Sequence, residues 1–181
     1  MGILASFLGI STASAEPTDS TSWVFVGGGL SSFRDSDVTV DQESLLIDAG
    51  IGSSGRRRFV FGAGYRFQTH FDQGTDMMLV ARTATQGYAL GDWGAAVDLG
   101  GYWRLWDDND PLGYTGSLSL GAPWGMTAQL GFTFAPDETP GYSAVLGIDF
   151  ARLTVYRRSG LSWFSNIYPS PGHDGPSPYQ R

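Results

Sequence analysis

Cysteine and lysine are both missing from this 181-residue chain, and charged residues of either sign make up only 16% of it. Without cysteine there is no disulfide framework and no thiolate metal site. All eleven basic residues are arginine, set against 18 acids for a net charge of -7, so no basic stripe points to a nucleic-acid partner. Long hydrophobic runs are lacking as well. None reaches the roughly 18 to 20 apolar residues of a membrane-crossing helix, so any crossing has to be made by strands. The sequence also holds no G-x-S-x-G, H-E-x-x-H or P-loop pattern.

What is abundant is glycine, at 26 residues, and aromatic side chains, at 14%. Period-two alternation recurs along the chain with turn chemistry between the runs, and no helical period persists. Strands are predicted near residues 23–33, 44–52, 57–71, 77–86, 93–106, 115–122, 126–134 and 142–150. The intervening "RDSDVTVDQE", "DQGTD", "DDNDPLGY" and "APDETPG" read as longer loops, and "SSGR", "ALGD" and "PWG" as tight turns. The longer loops hold eleven of the 18 acids, including Asp41, Glu43, Asp72 and Asp76, with Arg34 as their only base, while the other end carries Arg56, Arg57 and Arg152. Both signals predict an up-and-down meander of hairpins in one all-β domain.

Alternation also assigns two faces. In "RFVFGAGYRFQTHF" one face is Phe59, Phe61, Ala63, Tyr65, Phe67, Thr69 and Phe71; the other is Arg58, Val60, Gly62, Gly64, Arg66, Gln68 and His70. In "DWGAAVDLGGYWRLW" the split separates Trp93, Val97, Leu99 and Trp103 from Asp98 and Arg104. A soluble barrel that binds a ligand would turn the apolar face inward and needs an outer face rich in Lys, Glu, Thr and Gln. Here the polar face is mostly small residues with isolated charges, a poor water-facing surface and a good filling for a narrow lumen. The predicted architecture is therefore an antiparallel transmembrane β-barrel, apolar outside, with eight strands and ten as the alternative. Trp93 and Trp103, ten residues apart on the apolar face, and Phe59 with Phe71 are read as aromatic girdles at its two edges.

The predicted lumen set is Asp48, Arg58, Arg66, Arg82, Asp98, Arg104 and Asp149, with Gln68 and Gln129. Acids and arginines enclosed in a low dielectric have to pair, which predicts a salt-bridge plug, with a gate or narrow conduit as the alternative. The short echo "FGAGYRF" and "LGGYWRL" aligns Arg66 with Arg104 and predicts equal depth for them. Histidine occurs only as His70 and His173; His70 is read as a hydrogen-bonded rim residue. No cofactor is expected, beyond Ca²⁺ or Mg²⁺ loosely held by Asp107, Asp108 and Asp110, which lack the full spacing of an EF-hand loop.

The chain opens with a short apolar run ending in Ala13-Ser14-Ala15, an A-x-A cleavage pattern, so residues 1–15 are read as a signal peptide although no Lys or Arg precedes the run. Residues 16–152 are then the barrel, and 153–181 a Pro/Gly-rich tail in which Trp163, Phe164, Ile167 and Tyr168 form a cluster suited to docking on a membrane interface, the barrel end or a partner protein.

On the alternation and turn pattern of residues 23–150, the chain resembles the small outer-membrane β-barrels of Gram-negative bacteria: the outer-membrane-protein-A transmembrane domain and the opacity-type and X-type barrels. That resemblance implies eight antiparallel strands, an integral outer-membrane location, surrounding lipid and lipopolysaccharide, and handling by the outer-membrane assembly machinery. It implies a structural or surface-contact role, with a narrow solute channel as alternative. Some barrels of this class modify lipid A acyl chains with His, Ser and a carboxylate, which makes His70 the residue to test for enzymatic activity. Such barrels commonly end on an aromatic residue. Phe150 stands at that place, yet the chain continues, and residues 153–158 would supply a ninth strand if ten were formed.

Overall fold

A computed structural model describes residues 20–35, 38–55, 57–106, 112–135 and 140–155. Eight antiparallel strands form one closed barrel in chain order: β1 Thr21–Asp35, β2 Val38–Gly52, β3 Phe59–His70, β4 Gly74–Thr85, β5 Gly94–Arg104, β6 Leu112–Gly121, β7 Met126–Phe134 and β8 Gly141–Asp149. Every strand foreseen by alternation forms. The barrel closes by pairing β8 to β1, from Phe25 opposite Asp149 to Phe33 opposite Gly141. No ninth strand is inserted at this seam: Phe150–Thr154 is instead a short helix, α2.

Two sequence expectations change. The stretch "VTVDQE" is strand rather than loop, because β2 stays paired with β1 out to Val38 opposite Asp35. The difference between long and short connections also disappears. "ALGD" belongs to an eight-residue connection, 86–93, opened by a helical turn, α1 Gln86–Ala89, whereas β3 and β4 are joined by only residues 71–73. Thr85 starts α1 by accepting the Tyr88 N–H at 3.3 Å, which turns the chain inward where the sequence suggested a tight hairpin.

The register sets the barrel's dimensions. Following paired residues once around, through Trp23, Gly50, Gly64, Val80, Gly100, Thr115, Thr133 and Gly141, returns to β1 at Phe33, ten residues beyond the start. With a rise of about 3.3 Å per residue and about 4.8 Å between strands, this stagger tilts the strands by roughly 41° and gives a radius of about 8 Å. Each residue then climbs about 2.5 Å along the barrel axis, and each step to the next strand adds about 3 Å. Both described ends of the chain, Ser20 and α2, lie at one end of the barrel, called the lower end below. β1, β3, β5 and β7 end, and β2, β4, β6 and β8 begin, at the opposite, upper end.

Candidate functional site: the filled lumen and its apolar belt

At mid-height four charged side chains from four strands meet: Asp48 of β2, Arg66 of β3, Arg82 of β4 and Asp98 of β5. Both carboxylates are completely buried and both guanidinia nearly so. Arg82 grips Asp98 through Nε and Nη2 at 2.7 and 2.8 Å, and the same Nη2 donates to Asp48 Oδ2 at 2.6 Å. Arg66 Nη2 donates to Asp48 Oδ2 at 2.8 Å and also to Asp98. The remaining acceptors are filled by neutral donors: Trp23 Nε1 on Asp48 Oδ1 at 2.8 Å and Ser117 Oγ on Asp98 Oδ2 at 2.9 Å. Gln129, with its amide oxygen facing Arg66, accepts from Nη1 and Nη2 at 3.0 and 3.2 Å. Two acids and two bases sum to zero charge, the condition for burying four ions at tolerable desolvation cost.

Trp23 is the network member that strand prediction overlooked. Its indole crosses the inward faces of β2 and β3, where a methyl group on Gly50 or Gly64 would come within 2.1 or 2.8 Å of the ring. The Arg82 guanidinium stacks on the ring at 4.2 Å from its centroid. Three inward glycines, Gly50, Gly62 and Gly64, are the signal: on a face that must fill a lumen, such a gap implies a large side chain arriving from elsewhere.

Above this layer lies a second cluster. Asp76 points inward from β4 rather than lying in the loop inferred from sequence, and accepts from Trp106 Nε1 at 2.9 Å and from Arg104 Nε and Nη2 at 3.3 and 3.4 Å. His70 Nε2 stands 3.6 Å from Asp76 Oδ2, and its ring meets Phe33 edge-on at 4.8 Å. His70 is buried and inward-facing; its Nδ1 and the neighbouring Ser44 Oγ have no hydrogen-bond partner. Arg104 therefore lies in a different layer from Arg66, roughly 11 Å higher, because barrel stagger shifts equivalent residues of β3 and β5 along the axis.

The lower end is closed by a third group. Arg152 of α2 donates from Nη1 to Thr127 Oγ1 at 2.8 Å and from Nη2 to the Asp92 and Ala122 carbonyls at 2.9 and 3.1 Å, with its guanidinium 4.5 Å above the Tyr88 ring. Burial pulls this guanidinium below its ordinary pKa and pushes the Tyr88 phenol above its own. Asp149 belongs here and not to the central network: its Oδ1 accepts the N–H groups of Val24, Ala151 and Arg152 and caps α2. Arg58 departs furthest from expectation. It precedes β3 and is exposed, since the inward alternation of that strand begins only at Val60.

Among the described residues, small cavities of about 10 Å³ beside Gln68 and His70 and about 20 Å³ beside Arg82 and Tyr88 lie between these layers, each with room for roughly one water. The central ion network lies between them.

The outer surface is the inverse of the lumen. Leu30, Ile51, Leu79, Leu99, Leu120, Leu130 and Leu146 are all more than half exposed and come from every strand but β3, whose outward residues are Phe59, Phe61, Tyr65 and Phe67. Aromatic rings edge this belt. Trp93, Phe59, Phe61 and Phe150 lie near its lower margin, and Trp103, Phe71, Tyr114, Phe134 and Tyr142 near its upper one. From the strand tilt the two margins are about 25 Å apart.

No family model, curated protein or solved structure matches this chain.

Among the described residues no group of three or more His, Asp or Glu side chains is placed to hold a metal ion. Asp107, Asp108 and Asp110, the tail cluster Trp163, Phe164, Ile167 and Tyr168, and residues 1–15 lie outside the described residues.

Proposed function

We propose that this chain is an integral barrel of a bacterial outer membrane, plugged along its axis, with a structural and surface-contact role exercised through its acidic upper end. The observation that carries this reading is the polarity of the wall: charges inside, and a belt of exposed Leu, Ile, Val and Phe outside between two aromatic rims. Each Leu-sized side chain transferred from water to an apolar phase stabilises by roughly 1.5–3 kcal/mol, so a surface of this composition is costly in water and favourable in hydrocarbon. The belt height of about 25 Å equals that of the apolar band of transmembrane barrels, and Trp and Tyr at its rims suit the interfaces.

What supports a plugged lumen is the ion network lying, among the described residues, between two water-sized cavities. The decisive experiment combines fractionation, migration of boiled and unboiled samples in detergent gels, and quenching by lipids brominated at defined depths, comparing the chain with Trp93→Phe and Trp103→Phe. Outer-membrane recovery, heat-modifiable migration, and loss of a shallow-quenched component in each variant are expected. Recovery as a water-soluble protein would overturn the reading. In planar bilayers the folded protein should give no conductance steps above background.

A further inference from the structure

The upper end of β2 has a neighbour on one side only. Its pairing with β3 ends at Ser44 opposite His70, yet its pairing with β1 continues six residues further, to Val38. Thr39, Val40, Asp41 and Gln42 thus form the margin of a two-stranded ribbon that rises about 12 Å from Ser44 to Thr39. Among the described residues no strand lies along this margin. The direction of its hydrogen-bonding groups is fixed by the last contact below: the Glu43 carbonyl accepts the Phe71 N–H at 3.2 Å, so residues of the same parity, Asp41 and Thr39, turn their N–H and C=O groups to the open side. Thr39, Asp41 and Glu43 also expose their side chains on the outer face of the ribbon.

We infer that this margin is a strand-addition site for an extended, cationic segment of a partner protein. An unpaired strand edge is a template for a further strand, whose main-chain bonds supply affinity and whose alternate side chains supply selectivity. Here selectivity is electrostatic. A second copy of the chain, added edge to edge, would bring Asp41 and Glu43 against their own counterparts, and like charges across a ladder are unfavourable. A strand with Lys or Arg at alternate positions meets the same carboxylates with complementary charge, and Asp72, exposed in the adjacent β3–β4 connection, adds to the field. The inference deepens the surface-contact reading and rests on it for the upper end being accessible.

The test uses the full chain folded in detergent micelles, with heat-modifiable migration measured first so that failure to fold as a membrane barrel is recorded separately. The probes are two synthetic ten-residue peptides, one alternating lysine with valine and one alternating glutamate with valine. Titration calorimetry and amide exchange are read on the chain and on two variants. Asp41→Pro removes only an open-side N–H, because that residue gives β1 none. Asp41→Lys combined with Glu43→Lys reverses the charge. Expected are binding of the cationic peptide alone, slowed exchange at the Thr39 and Asp41 amides, at least tenfold weaker binding to Asp41→Pro, and a switch to the anionic peptide in the double variant. Equal binding by Asp41→Pro would reduce the site to diffuse charge and overturn the inference. No binding by a correctly folded barrel, or edge-to-edge dimers in place of peptide binding, would also overturn it while leaving the membrane reading intact.

Discussion

The middle and the mouth of the lumen are built from the same residue types and held very differently. At mid-height, Asp48, Asp98, Arg66 and Arg82 close a neutral network whose Arg82 contacts measure 2.6 to 2.8 Å. At the mouth, Asp76 holds Arg104 at 3.3 and 3.4 Å and His70 at 3.6 Å, and polar atoms of His70, Ser44 and Gln42 are unbonded. At mid-height two of the three unbonded atoms, Arg66 Nε and Arg82 Nη1, are surplus donors on guanidinia already bound elsewhere, the third being the Ser119 hydroxyl; those of the mouth include an imidazole nitrogen, a hydroxyl and an amide oxygen. A carboxylate shared by two guanidinia is fixed from several strands at once, whereas one held largely by a single adjacent strand has slack. Like-looking Asp–Arg pairs thus carry unequal weight in this barrel.

Removing a central acid should have the largest effect. Asp98→Ala leaves Arg66 and Arg82 sharing Asp48 in a dry interior and should cost about 3–5 kcal/mol in urea unfolding of the detergent-folded barrel. Next in size is the lower closure. Arg152→Met strands the Asp92 and Ala122 carbonyls and should cost about 1.5–3 kcal/mol by the same measurement, together with faster amide exchange in α2. Asp76→Asn at the mouth keeps an acceptor for Trp106 and should cost only about 1 kcal/mol. If Asp76→Asn destabilised as much as Asp98→Ala, the distinction between the two layers would fail.

The smallest effect is a pH dependence at the lower end. Burial raises the Tyr88 phenol above 10.0, with the nearby Arg82 and Arg152 charges opposing. In the unfolded chain the phenol ionises from about pH 10, while in the folded barrel it keeps its proton. Its contribution to stability is therefore complete below pH 10 and is lost as pH rises through the folded value. Tyr88→Phe should flatten this decline in unfolding curves taken between pH 9 and 11, and an unchanged slope would show that the phenol does not titrate in this way.

Alternation was a good guide to faces and a poor one to layers. It placed Asp48, Arg66, Arg82, Asp98 and Arg104 inward because side chains on a strand simply alternate, and each of them is buried. It assigned Asp76 to an acidic loop because "DQGTD" looks like a turn, when the turn occupies only its first residues and Asp76 already faces its cross-strand partner Arg104. It extended the inward face to Arg58 by counting beyond the point where β3 begins. It equated Arg66 with Arg104 because a local echo carries no information about stagger. Trp23 and Arg152 escaped for a related reason: both reach the lumen by long side chains over glycine gaps, at Gly50 and Gly64 for one and at Gly121 for the other.

Local patterning in the sequence was enough to locate eight strands in an up-and-down order and to separate their two faces, since these follow from period-two alternation and turn chemistry acting over a few residues, but it left a ten-strand barrel open and misplaced Arg58. Closure of the ring settled eight strands over ten, which acid meets which arginine, where the lumen closes and which strand edge stays open. Those depend on a ten-residue stagger accumulated over eight pairings, and on closure of β8 against β1, properties of the whole ring that no local segment encodes.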